Sequence, residues 1–403
     1  MQAGFPGIDF HDYHRRLLPE LLAGGRAALA AADTAALQPL SLRVRERDAA
    51  YTYLPRPDGI EIASGDARAE TIVALDQESF EGLVHDLESP ASLIYRGRAT
   101  PLRGDLMHFV RWEPVLRAIF AGRPIYDAAK LDLRDRRGAP LDPLQGFRRG
   151  DDPLELAHFL REAGYLWVRG VFAPDEVLTL RSEAEALRRA AVPGDQKSWW
   201  GRNARGEAVL CRVLAASAQP LLRSLPSDAR LRELVALSDH ALVPRDRDEL
   251  DAVTVLWKNP GMREGLSDLP WHRDCGMGGH AVMCPTLVCS VFLEANRPAA
   301  GALRFLPGSW QSSYRFEEGG GAAPDLGAAP PAEPGDLTLH YGDVWHVAPP
   351  PTGEEGPFRC CALVGFERPG MRHHRGERHY NDVLLGREDG QVANMREMAR
   401  ARE

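Results

Sequence analysis

From residue 153 onward, apolar side chains recur first at helical and then at strand spacing. Leu156, Phe159, Leu160 and Ala163 fall on one face of a helix that Gly164 can close. Pro174 can open a second helix whose stripe is Val177, Leu180, Ala184 and Leu187. Runs rich in β-branched, aromatic or leucine residues at 252–257, 286–293, 302–306, 337–339 and 359–364, several bounded by Gly or Pro, predict strands. A jelly-roll barrel accommodates these strands, and its mouth suits a small ligand. The stretch from Gly319 to Pro334 holds little that could pack and reads as a long connection without assigned chemistry.

The first part of the chain carries its own pattern. Thr71 to Leu75 alternates like a half-buried strand, and Asp76 can cap a helix with Phe80, Leu83, Val84 and Leu87 on one side. Leu106, Phe109, Val110, Trp112, Leu116, Ile119 and Phe120 predict further helical turns around Pro114, ending at Gly122 and Pro124. Between 128 and 152, Arg, Asp, Gly and Pro replace periodic apolar residues, which marks a linker. The expected organisation is a domain over 1–127, a linker over 128–152 and a second domain over 153–403.

Chemistry concentrates at Trp271-His272-Arg273-Asp274, with His346 and Arg359 downstream. Residues two apart on a strand project to one face, so His272 and Asp274 can point into one barrel while His346 arrives from a distant strand. Two imidazoles and a carboxylate with open positions form the ligand set of non-heme Fe(II) oxygenases. His340 competes with His346, an even number of residues away, and is otherwise a core or hydrogen-bonded histidine beside the site. Asp336 and Asp343 read as turn residues.

Gly301-Ala302-Leu303-Arg304-Phe305-Leu306-Pro307-Gly308-Ser309-Trp310 lies between the ligand segments and resembles the Gly-x-Leu...Pro-Gly-Ser signature of the phytanoyl-CoA dioxygenase family. Phe159 to Val168, followed by Val171 to Val177, is similar to that family's opening helix, strand and second helix, and the resemblance spans about Pro153 to Pro369. It implies an α+β chain with a double-stranded β-helix (jelly-roll, cupin-like) oxygenase domain using Fe(II), 2-oxoglutarate and O2. His272, Asp274 and His346 would hold the metal, and oxidative decarboxylation to succinate and CO2 would precede attack on an unactivated C–H bond. Arg359 would take the distal carboxylate of 2-oxoglutarate, since a guanidinium fork matches a carboxylate and stays charged when desolvated. Lys258 and Arg304 are the next candidates for that role, and Thr286 and Lys258 are further cosubstrate-binding residues. Trp257, Thr254 and Ser290 are candidate pocket linings by position. Family members often carry Gly-Pro-Asn after the second histidine, where this chain has Val347-Ala348-Pro349-Pro350-Pro351-Thr352. The carboxylate at Asp274 favours hydroxylation over halogenation, because halogenating relatives replace it with a small residue.

Upstream, Leu93 to Ala99, Arg103-Gly104-Asp105 and the helix from Phe109 to Phe120 resemble the sterol-carrier-protein type of lipid-binding domain over about Leu37 to Tyr126. This smaller α/β domain would precede the barrel and could present a lipophilic substrate, or serve as a packed structural or dimerisation domain.

At 403 residues and 44% apolar composition the chain can build more than one core. Its net charge of −8 argues against nucleic acid as a partner, and no run is apolar enough to span a membrane, so a small-molecule substrate is expected. Cys211, Cys275, Cys284, Cys289, Cys360 and Cys361 make no disulfide framework, and His280 among them completes no zinc pattern. With no signal peptide in view, a reducing cytoplasm is expected. His373, His374 and His379 read as a solvated tail. The rival functions are a non-catalytic lipid-binding protein with a degenerate barrel, and a cupin-like metalloenzyme that uses the same ligands without 2-oxoglutarate.

Overall fold

The computed structural model describes residues 5–57, 59–245, 252–264, 269–277, 285–315, 326–369 and 388–402. Strands β1 to β5 (Leu40–Val44, Ala49–Arg56, Gly59–Ser64, Thr71–Leu75 and Thr100–Arg103) form a five-stranded sheet in the order β3-β2-β1-β4-β5. Only β1 and β4 run parallel in it. The helix Gln77–Val84 starts where Asp76 accepts the Ser79 N–H at 2.7 Å, and Pro114 sits in the first turn of Glu113–Ala121, which closes at Gly122 with φ +70°. Phe10, Tyr13, His14, Tyr51, Phe80 and Phe120 pack ring against ring in this core. The end of the chain returns here. Asn394 and Glu397 cap the helix Met395–Arg400, whose Met395 and Ala399 are buried in the same core.

The second core begins with the helix Pro153–Ala163. Asp152 accepts the Leu154 N–H at its start, and Gly164 ends it at φ +83°, where a Cβ would lie 2.5 Å from Val344 Cγ2. Pro174–Ala190 buries the expected stripe. Together with shorter helices these flank a nine-stranded sheet. Its strands are β6 (Tyr165–Val168), β7 (Ser198–Asn203), β8 (Ala208–Val213), β9 (Val243–Pro244), β10 (Val253–Trp257), β11 (Met262–Glu264), β12 (Leu287–Phe292), β14 (Leu337–Tyr341) and β16 (Cys360–Glu367). Their order is β11-β7-β8-β10-β16-β12-β14-β6, with β9 against β16, and every pair is antiparallel. A smaller antiparallel pair joins β13 (Arg304–Phe305) to β15 (His346–Val347), and His272 bridges to His346 beside it. Two antiparallel sheets of this kind are consistent with a jelly roll. No helix among the described residues is long and apolar enough to cross a membrane. Residues 319–325 of the long connection, together with His280, Cys284, His373, His374 and His379, lie outside the described residues.

Cross-strand pairing fixes which side chains share a face. Val288 pairs with His340 and Gly365, Ser290 with Thr338 and Leu363, and Leu363 with Thr254. Directly paired residues in an antiparallel sheet point the same way, so Thr254, Ser290, Thr338 and His340 share one face. Trp257 pairs with Cys360 on the opposite face and lies in the main core, so it does not line a pocket.

Candidate metal centre

His272 and His346 are held by two reciprocal backbone hydrogen bonds, from the His272 N–H to the His346 carbonyl at 3.0 Å and back at 2.9 Å. Trp271, Tyr314, Trp345 and Val347 form a small apolar cluster beside this bridge. Asp274 is not on a strand with His272. It opens a helical turn, Asp274–Met277, that the Cys275 N–H ties to the Gly342 carbonyl at 3.1 Å. The same-face expectation is met by a turn after the bridge rather than by strand alternation.

The ligand atoms of His272, Asp274 and His346 all lie within 4.8 Å of one another. Both histidine Nε2 atoms are 3.8 Å from Asp274 Oδ1. The remaining ring nitrogens settle the tautomers: His272 Nδ1 is 2.7 Å from the Pro270 carbonyl and His346 Nδ1 is 2.9 Å from the Val344 carbonyl. A carbonyl only accepts, so each Nδ1 carries the hydrogen. Burial pushes both imidazole pKa values below the ordinary range, which keeps the rings neutral and each Nε2 bare. Two lone pairs and a carboxylate therefore face one another, a donor set that a divalent cation satisfies.

His340 joins this group. It is buried, and its Nε2 is 3.5 Å from Asp274 Oδ2, the oxygen turned away from the other two histidines. Its even spacing from His346 was the available signal. Asp336 is a structural acceptor, taking the Gly170 and Glu333 N–H groups and the Trp167 indole N–H, and Asp343 pairs with Arg273.

The three proposed cosubstrate residues fall in two places. Arg359 and Lys258 are adjacent, with the Lys258 N–H donating to the Arg359 carbonyl at 2.9 Å. Arg359 is 2% exposed, its Nε donates to the Gly301 carbonyl at 2.9 Å, and a terminal nitrogen lies 3.5 Å from Cys361 Sγ. That contact puts it on the sheet face shared with Leu363 and His340. Among the described residues no carboxylate stands within ion-pair distance of it. Lys258 is also buried and its ammonium donates to the Ala348 carbonyl. Thr286 sits apart from these two, with its hydroxyl 3.5 Å from Cys275 Sγ, next to Asp274. Arg304 pairs with Val347 while Phe305 pairs with His346, so Arg304 points away from the histidine's face and does not fit the cosubstrate role.

On the barrel face, Thr254 was a candidate lining by position, whereas Thr338 and Arg212 were not assigned from sequence. Among the described residues, the buried hydroxyls of Thr254 and Thr338 have no hydrogen-bond partner. Arg212 pairs with Leu256 on the neighbouring strand and stacks over Trp199, with 4.9 Å from guanidinium carbon to ring centre. Leu256, Leu363, Val288 and Arg212 are only half-buried although their strands lie inside the sheet, which marks an open wall. Cys211, Cys275, Cys289, Cys360 and Cys361 are buried free thiols.

Among protein-family models, residues 160–358 match "Phytanoyl-CoA dioxygenase (PhyH)". No curated protein matches the chain at a significant level. Similar solved structures include AviO1 from Streptomyces viridochromogenes, at 24% identity and TM-score 0.42, covering 55% of this chain and 97% of that one. The non-heme alpha ketoglutarate dependent epimerase SnoN from nogalamycin biosynthesis matches at 21% identity and TM-score 0.43, covering 61% and 98%. HygX from Streptomyces hygroscopicus, with nickel and 2-oxoglutarate bound, matches at 19% identity and TM-score 0.37, covering 54% and 87%.

Proposed function

Since residues 160–358 form a phytanoyl-CoA dioxygenase (PhyH) domain, we propose that this chain is an Fe(II)- and 2-oxoglutarate-dependent oxygenase that hydroxylates a C–H bond of a small organic metabolite. The carrying observation is the convergence of His272 Nε2, His346 Nε2 and Asp274 Oδ1, with both imidazoles fixed in the tautomer that a metal ligand needs. The net reaction would be R–H + O2 + 2-oxoglutarate → R–OH + succinate + CO2.

Bound iron, with 2-oxoglutarate and O2, supplies the oxidising power in such sites. The protein's own contribution is positional. His272, Asp274 and His346 would hold the metal and leave coordination positions open for cosubstrate and oxygen. Arg359, buried and without a carboxylate partner among the described residues, would receive the distal carboxylate of 2-oxoglutarate, with Lys258 beside it. The hydroxyls of Thr254 and Thr338 on the same face, unpartnered among the described residues, offer further hydrogen bonds. Half-buried Leu256, Leu363 and Val288 provide an apolar wall on which a substrate's carbon skeleton can lie and from which water is excluded. That wall supports a substrate with a lipophilic part.

Anaerobic titration of the Fe(II)-loaded protein with 2-oxoglutarate tests the reading. A weak visible charge-transfer band that grows with cosubstrate, and is absent in His346→Ala, is the expected result. Absence of the band in folded, iron-loaded wild type would overturn the cosubstrate assignment and leave a metalloenzyme of another kind.

A further inference from the structure

The residue between the two ligands of the His-x-Asp pair points away from the metal centre. Arg273 is 2% exposed, and its guanidinium meets three carboxylates: Asp343 at 3.1 Å, Asp86 at 3.7 Å and Glu113 at 3.8 Å. Asp343 belongs to the turn that leads into His346. Asp86 and Glu113 belong to the N-terminal part of the chain, Asp86 after the helix Gln77–Val84 and Glu113 at the start of Glu113–Ala121.

Those two acids are themselves fixed. Arg117 grips Asp86 through two hydrogen bonds of 2.7 and 3.0 Å, and Arg123 adds a third at 3.2 Å. Arg117 also crosses the interface to the Ser312 carbonyl at 3.1 Å and the Ser313 hydroxyl at 3.0 Å. Alongside, Tyr126 and Ser313 exchange main-chain contacts, the Tyr126 N–H donating to the Ser313 carbonyl at 2.7 Å and the Ser313 N–H to the Pro124 carbonyl at 2.8 Å. Asp86, Arg117 and Glu113 are all buried. The cluster sets three arginines (Arg117, Arg123 and Arg273) against three acids (Asp86, Glu113 and Asp343), and Arg273 is the cation that joins the acids of the two parts.

We infer that Arg273 is a positioning residue for the metal centre and that Asp86 and Glu113 of the N-terminal part hold it there. The reasoning is geometric. The backbone of residue 273 joins His272 to Asp274, so the direction in which its side chain is anchored sets how those two ligands face each other. The same guanidinium is tied through Asp343 to the segment carrying His346. One buried side chain thus couples all three ligand-bearing residues to a surface outside the barrel, and a ligand set misplaced by a fraction of an ångström binds its metal less well.

This inference rests on the metal-centre reading, and its test separates the two. In the full-length chain, the Fe(II) dissociation constant is measured anaerobically by chelator competition, and the visible spectrum of the Co(II)-substituted protein reports ligand geometry. Variants are Arg273→Gln, Arg273→Lys, Glu113→Gln and Asp343→Asn, with Met395→Ala as a control that disturbs the N-terminal core without touching the cluster. Arg273→Gln should weaken Fe(II) binding at least tenfold and alter the Co(II) spectrum, with Arg273→Lys intermediate because charge survives but the fork does not. Glu113→Gln should weaken binding severalfold from across the interface, while Met395→Ala lowers the melting temperature and leaves metal affinity within twofold. Should Arg273→Gln fail to fold, Glu113→Gln and Asp343→Asn carry the same expectation. Unchanged metal affinity and spectrum in the cluster variants would overturn the inference, as would equal losses in Met395→Ala. Wild type that binds neither Fe(II) nor Co(II) would instead overturn the metal-centre reading itself.

Discussion

Arg359 allows the sharpest quantitative test. It is 2% exposed, and its neutral partners are a carbonyl oxygen and a thiol sulfur. Holding a cation in that environment is costly unless an anion shares it. A carboxylate about 4 Å away, at an effective dielectric near 20, would contribute about 4 kcal/mol of attraction. That agrees with the roughly 2 to 5 kcal/mol lost when one partner of a buried charged pair is truncated. At about 1.4 kcal/mol per decade, Arg359→Met should raise the 2-oxoglutarate dissociation constant from about 30-fold to several-thousand-fold. The assay is the same anaerobic charge-transfer titration, repeated with 2-oxobutanoate, which keeps the chelating 2-oxo acid but lacks the distal carboxylate. Wild type should prefer 2-oxoglutarate strongly, and the variant should lose that preference while binding 2-oxobutanoate about as wild type does. An affinity for 2-oxoglutarate within threefold of wild type, with Fe(II) binding intact, would refute the role and move attention to Lys258.

Asp274→Ala should abolish Fe(II) binding and substrate-dependent succinate formation while the metal-free protein melts close to wild type, checked by metal analysis and thermal denaturation; turnover at the wild-type rate would remove Asp274 from the ligand set. His340→Phe should weaken Fe(II) binding by roughly 10- to 100-fold, the usual consequence of losing a group that orients a ligand, because Asp274 Oδ2 loses its neighbour at 3.5 Å; unchanged chelator competition would make His340 a packing residue only. Far from the site, burial lowers the pKa of His14 to about 4, while its Nδ1 donates to the Phe10 carbonyl at 2.7 Å and its Nε2 accepts from Tyr53 at 2.6 Å. Since the folded value lies below the unfolded one near 6.5, the unfolded chain gains a proton first as pH falls, and about 3 kcal/mol of stability should be lost between pH 6.5 and 4. Denaturant unfolding of wild type and His14→Gln across that window should show the smaller pH dependence in the variant, and equal slopes would contradict it.

Local signals carried much of the C-terminal part. Capping and stripe residues located Pro153–Ala163 and Pro174–Ala190, and β-rich runs located the cores of β10, β12, β14 and β16. The hairpin of β7 and β8 was missed because a bulge between Trp199 and Trp200 breaks its alternation, and Gly206 at φ +77° shapes a turn that period counting does not see. In the N-terminal part β2 is buried on both faces over Tyr51 to Leu54, so it shows no polar alternation, and the charged Arg43 to Asp48 stretch interrupts the pattern that would have joined β1 to β2. Strand phase was the other gap. Thr254 and Trp257 sit on one strand, but only pairing with β16 shows that the first faces His340 and the second the packed core.

His272, Asp274 and His346 stood out as candidate ligands because two of them lie two residues apart and a second histidine follows downstream, whereas side chains that would orient them need only be near in space. Arg273 lies between two of the proposed ligands, but its partners are 187 residues away at Asp86, 160 away at Glu113 and 70 away at Asp343. A carboxylate in each of three separate segments carries no shared periodicity, and an acid on a helix or turn reads as solvated surface until the fold closes over it. The chain's ends reinforce the same closure. Met395 and Ala399 from the C-terminal helix share a core with Phe10 and Leu18 from the first helices, and Trp200 of the large sheet pairs through its backbone with Gly390 and Val392. The C-terminal segment therefore leaves the barrel to complete the N-terminal core, while the acids of the N-terminal part reach Arg273. Contacts run in both directions across one interface, so loosening the C-terminal helix tests the packing, and neutralising Glu113 tests the coupling to the metal. If metal affinity responded to both variants alike, general packing would suffice to explain the cluster; a response confined to the charged groups would tie the N-terminal part to the chemistry.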